Sequence, residues 1–176
     1  MHKPAYTAVV IAAVLLATVC TTTAYSAGAR SSANASVTIL QPITVTTLSS
    51  LSFGRFQSRG EGTVTVTSPP PTERTAIGVQ LVGGAEFNPA SYTIVGEPGR
   101  AYRVTLPSAV TTSPGGFRAS DFTIWSANSG ALLTSGLGQL DGAGGDALNV
   151  GATVTVPAGV RPAHFTATFP ITINYE

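Results

Sequence analysis

Short runs in which apolar and polar residues alternate with period two constrain this chain most. In HFTATFPITINYE (164–176), Phe165, Ala167, Phe169, Ile171, Ile173 and Tyr175 share one parity. His164, Thr166, Thr168, Pro170, Thr172 and Asn174 take the other. Successive strand side chains point to opposite faces, so the pattern predicts a half-buried strand with the first set inward. ALNVGATVTV (147–156) repeats it, with Leu148, Val150, Ala152, Val154 and Val156 on one face. No stretch sustains a helical period between caps.

Further alternating runs follow one another between turn residues: ASVTILQPITVTTL (35–48), LSFGRF (51–56), TVTVT (63–67), AIGVQLV (76–82), SYTIVG (91–96), AYRVTL (101–106) and DFTIW (121–125). Pro42 interrupts the first, and Pro98-Gly99 suits the centre of a turn after the fifth. A weakly patterned Gly-rich stretch occupies roughly 127–146. Eight or nine short strands at this spacing predict an all-β antiparallel sandwich, one face of each sheet on the core. There is no internal repeat, and residues 30–176 read as one domain.

The first 29 residues read as an export signal. Lys3 supplies the positive end, AVVIAAVLLATV (8–19) the apolar core, and AYSAGA (24–29) a small-residue cleavage zone. The strongly apolar part is only about half of the ~20 residues that a membrane span requires. The chain is therefore expected in the periplasm, at the cell surface or outside the cell, with no span after cleavage. Cys20 leaves with the signal, which removes every cysteine-based chemistry. Beyond residue 29, the eight arginines balance the eight acids. That balance argues against nucleic acid, which calls for clustered surplus cations, and lowers the repulsion that opposes self-association.

Catalytic signals are lacking. His164, the sole histidine beyond the signal, faces away from the apolar row, and no G-x-S-x-G elbow accompanies it. DGAGGDA (141–147) reads as a tight loop with two acids rather than a calcium turn, since it occurs once. Glu61, Glu73, Glu86 and Glu97 are too dispersed to nominate a carboxylate pair. Neither a metal site nor a cofactor is expected. Trp125, opposite in parity to Phe122 and Ile124, is a candidate sugar-stacking platform unless the Gly-rich stretch folds over it.

The ITVTTLSSLSFGRF segment with its L-x-F-G core, GEPG followed by Tyr102 to Pro107, and LNVGATVTVPAGVRPAHFTATFPITINYE together resemble a family of small exported bacterial β-proteins of unknown function. More distantly, the frame is similar to spore-coat-protein-U and archaic chaperone–usher pilin subunits. That resemblance implies an immunoglobulin-like sandwich lacking one strand, completed by a neighbour's N-terminal extension through β-strand addition. It makes 35–41 (within 30–41) the candidate donor, with Val37 and Ile39 as plugs, and Phe165, Phe169, Ile171, Ile173 and Tyr175 the candidate acceptor edge. The implied partners are a second copy or a periplasmic chaperone or usher. Two departures stand beside it: the chain lacks the cysteine pair common in those pilins, and Pro170 removes one backbone donor.

The expectation is an exported, non-enzymatic structural or assembly subunit at the bacterial cell surface. The alternative is a self-complete binding module, for glycans, built around Trp125. Whether 35–41 is donated or folds back onto its own domain is open at this level.

Overall fold

The computed structural model describes residues 31–112, 116–161 and 164–176, so the expected signal segment 1–29, with Cys20, lies outside the described residues. Eleven strands form among them: β1 (Thr44–Ser49), β2 (Phe56–Val66), β3 (Arg74–Leu81), β4 (Ala90–Val95), β5 (Ala101–Thr105), β6 (Ala109–Thr111), β7 (Arg118–Ser126), β8 (Ala131–Leu132), β9 (Leu137–Gln139), β10 (Gly145–Val156) and β11 (Thr172–Tyr175). No helix occurs among the described residues. All pairings are antiparallel and fall into two sheets, as the alternation predicted. Thr38–Glu176 is one compact unit; the unit before it ends at Val37, and its residues 31–37 are exposed and carry no regular secondary structure.

β10 organises the larger sheet because it is long and alternates without a break. One edge pairs with β4 along 145–150 and then with β2 along 152–156. The opposite edge pairs with β7. β1 extends the sheet beyond β4, β3 beyond β2, and β6 and β8 beyond β7. Leu148, Val150, Val154 and Val156 all point inward and are buried, as their parity required. A one-residue slip would turn the whole row to solvent, which fixes the register. On the outer face, Thr65 and Thr153 share a hydroxyl bond of 2.9 Å, and Ser91 donates to Asn149 at 2.9 Å.

The second sheet has three strands in the order β11-β5-β9. It covers only part of the first. Tyr102, Val104 and Ile173 pack against Tyr92, Ile94, Ile124, Leu148 and Val150 in one core. A second core gathers Val64, Val154, Val156 and Phe117, with Phe56, Val160 and Phe165 packed on it. None of these last seven residues belongs to the second sheet. This half of the sandwich is roofed by the chain leading into β11.

Three expectations change. Residues 35–41 form no strand; Pro42 breaks the run, and Val37 and Ile39 are 87% and 89% exposed. LSFGRF makes a single bridge, Ser52 to Asn88, before β2 begins, because Gly54 takes a left-handed conformation (φ 70°). The terminal strand is laddered only over Thr172–Tyr175, since its partner β5 ends at Thr105 ahead of Pro107. The short β6, β8 and β9 carry no sequence signal, because two or three residues cannot display a period.

Candidate interaction groove

The terminal run supplies one wall of the main concavity. Parity is kept along it although the ladder is not. Phe165 turns onto Phe117 with ring centroids 4.2 Å apart, and Phe169 onto Phe122 at 5.1 Å. Ile171, Ile173 and Tyr175 join the first core. Offset, tilted aromatic pairs of this kind add to the area they bury. Thus the row proposed as an acceptor edge does face the core. Ala167 occupies the same parity but is too small to reach it and stays exposed.

A groove of about 1150 Å3 opens beside this run. Its floor includes Phe56, Phe117, Val154, Val156 and Phe165. No main-chain N–H or C=O in 164–171 bonds to another described residue. β11 itself pairs with β5 on one edge only, among the described residues. The wall is therefore irregular main chain, outside any strand, whose donors and acceptors pair with no described residue, so that it is open to pairing with another chain. Four basic side chains, Arg55, Arg59, Arg161 and His164, line the groove, and no carboxylate does.

The L-x-F-G turn, Leu51 to Gly54, also lines the groove. Arg74 donates to the Phe53 carbonyl at 3.2 Å and the Val82 carbonyl at 3.1 Å, and stacks over Phe87, 4.9 Å from its centroid. Gly54 passes beneath it: a Cβ there would lie 2.2 Å from Arg74 Nη1 and 2.9 Å from the Glu86 carbonyl oxygen. Glycine is required at this position both for its φ and for this approach. Sequence reading missed Arg74, which is twenty residues from its turn and carries no local signal.

At the far end of β11, the Tyr175 hydroxyl donates to the Gln41 carbonyl at 2.7 Å and accepts from the Glu97 amide at 2.6 Å. The Gln41 amide donates to Glu97 Oε2 at 3.0 Å. Gly96 makes room, since a Cβ there would lie 2.2 Å from the Tyr175 oxygen. Tyr175 thus fixes where the N-terminal segment leaves the domain.

The other singled-out residues lie elsewhere. Trp125 is half-buried on the outer side of β7, opposite Leu132 of β8 and Asn149 of β10. His164 is exposed, as its parity predicted. Asp141 closes its own loop: its carboxylate accepts from Gly145 N at 2.8 Å and Ala143 N at 2.9 Å, and these bonds lower its pKa. Asp146 turns inward instead and accepts from Tyr102, Ser126 and two amides.

A smaller cleft of about 550 Å3 lies between the end of β5 and a bulge in β7, where Asp121 (φ 51°) and Phe122 oppose one residue of β10. Its cation, Arg103, is taken by Glu176 and the Ser135 carbonyl. Among the described residues no three His, Cys, Asp or Glu side chains group as metal ligands, and no helix is long and apolar enough to cross a membrane.

No curated protein and no solved structure matches the chain. The family described as a domain of unknown function (DUF4402) matches residues 43–175, from just before β1 to the end of β11. That span takes in the L-x-F-G turn, the groove and the terminal row, and the chain belongs to this DUF4402 family.

Proposed function

We propose that this protein is an exported, non-enzymatic assembly subunit of the bacterial cell surface that joins its neighbours by strand addition. The observation that carries the reading is the unpaired main chain of 164–171, part of which (164–167 and 169) lines an apolar groove. An added strand would satisfy the free main-chain groups and seat alternate side chains on the floor. The offered strand is 35–41: Val37 and Ile39 stand almost fully exposed, in no ladder, just before the family-matched region begins. Exposed aliphatic side chains at alternate positions gain about 1.5–3 kcal/mol each when fully buried, which is ample reason to seat them in a neighbour.

The test is made in the producing bacterium. Surface material is sheared off and run in detergent with and without boiling, for the full chain and for a chain lacking residues 30–41. The full chain is expected in detergent-resistant, high-mass assemblies that boiling dissolves, and the shortened chain as monomer. Monomer from both chains, equally soluble and equally stable, would sink the reading.

A further inference from the structure

The groove's charge and its apolar floor point in different directions about what occupies it. The floor is apolar and aromatic, while the rim carries Arg55, Arg59, Arg161 and His164, all exposed. All eight acids of the chain lie among the described residues, and none lines the groove. The single ion pair among the described residues is Arg103 with Glu176, so none of the rim arginines has an acidic partner. None makes a side-chain hydrogen bond to a described residue either. An overall balanced chain thus concentrates three of its eight arginines around one concavity. A one-signed rim around a low-dielectric floor focuses potential and favours ligands of opposite sign.

The chain's own offered segment does not supply that sign. Residues 30–42 contain Arg30 and no acid, and the first acid of the whole sequence is Glu61. Seating this segment from a second copy would leave the rim unanswered.

We infer that the groove's preferred occupant is an extended segment of a different protein, with carboxylates flanking an alternating apolar row. The inference rests on the strand-addition reading above and deepens it by making the contact heterotypic. Three features select a polypeptide over a small ligand or a lipid. Along the groove, His164–Ala167 and Phe169 present main chain that pairs with no described residue, and an added strand would pair with it in the way a small ligand or a lipid cannot. The volume, about 1150 Å3, exceeds the ~300–1000 Å3 of ordinary small-molecule pockets. The exposed Ala167 leaves a gap in the inward row where a partner's side chain can enter.

The experiment uses the exported chain, from Arg30 onward, titrated with two labelled peptides. One is the chain's own 31–42 segment; the other is that segment with S31D, S32D and Q41E. The acidic peptide is expected to bind about tenfold more tightly at low ionic strength, as several rim pairs together allow. The preference should vanish near 1 M salt, where charges are screened beyond roughly 3 Å. It should also vanish in an Arg55→Ser, Arg59→Ser, Arg161→Ser triple variant whose affinity for the neutral peptide is unchanged.

Equal, salt-indifferent binding of both peptides overturns the heterotypic contact and leaves strand addition standing. Binding of neither peptide overturns both readings. So does retention on vesicles of anionic phospholipid with neither peptide bound, because the groove would then be a lipid site.

Discussion

The phenol of Tyr102 on β5 donates a 2.5 Å hydrogen bond to the buried carboxylate of Asp146 on β10, and so ties the small sheet to the large one. Asp146 also accepts from Ser126 Oγ at 2.7 Å, Asn128 N at 3.1 Å and its neighbour Ala147 N at 2.7 Å. A carboxylate 5% exposed persists only when its oxygens are answered in this way. Asp146→Ala orphans four donors at once and should lower stability by about 3 kcal/mol or more. Tyr102→Phe removes one bond to a charged group and should lower it by about 2 kcal/mol. Urea denaturation checks both; the midpoint should fall while the slope stays constant.

The same bond makes stability sensitive to alkali. Burial first, and then the Asp146 bond and charge, raise the Tyr102 pKa well above its ordinary value of 10.0. The folded chain therefore keeps a proton that the unfolded chain gives up above about pH 10, and unfolding releases it. Tyr102's share of stability is complete below pH 10 and is lost as pH rises from there toward its folded pKa. Tyr92, also raised by burial, adds a smaller dependence of the same sign. Stability measured from pH 9 to 11 should fall, and Tyr102→Phe should flatten the fall without abolishing it.

Gly54→Ala tests the turn that borders the groove. The new Cβ would meet Arg74 Nη1 and the Glu86 carbonyl on a backbone with φ of 70°. Strain of that kind costs about 1–3 kcal/mol before any displacement of the guanidinium. A drop of about 2 kcal/mol or more in denaturant is expected. Arg74→Ala should lose a comparable amount, and the double variant should lose less than the sum, because both act on one contact.

These residues also show what the sequence could and could not disclose. The inward row of β10 and the row from Phe165 to Tyr175 were legible, because a strand's period is local and survives in the order of residues. Main-chain pairing was not: the same alternation runs through 164–171, which is unladdered, and Thr172–Tyr175, which is laddered. Pairing depends on where β5 stops, and that is a property of another segment. The Tyr102–Asp146 bond joins residues 44 apart in the sequence. Likewise Arg55, Arg59 and Arg161 summed to nothing in a charge count, because neutrality of the total conceals how the fold distributes it. L-x-F-G read as part of a strand; the turn it makes depends on Gly54 at φ 70° and on Arg74, which had no signature of its own.

Trp125→Ala addresses the glycan alternative. Trp125 is half-buried on β7, in register with Leu132 of β8 and with Asn149 of β10. Packed in this manner it contributes apolar burial, and truncation should lower stability by about 1–2 kcal/mol. A glycan array run with the wild type and the variant should give matching profiles. A sugar signal that the variant alone loses, at equal folded fraction, would restore the platform.

Val37 and Ile39 separate folding from assembly. Both side chains are almost wholly exposed, so Val37→Asp with Ile39→Asp removes no packing within the domain and should leave unfolding within about 0.5 kcal/mol of wild type. In a neighbour's groove the same two carboxylates would have to enter an apolar floor, where an unpaired charge is heavily penalised. The double variant should therefore fold normally, keep the Tyr175–Gln41 junction, and fail as a donor. Mixed with wild-type chains it should still accept a strand, because its groove is unaltered, and so act as a chain terminator. Sheared surface assemblies should shorten in proportion to the fraction of variant expressed. Assemblies of unchanged length at equal expression would mean that 35–41 is not the strand exchanged.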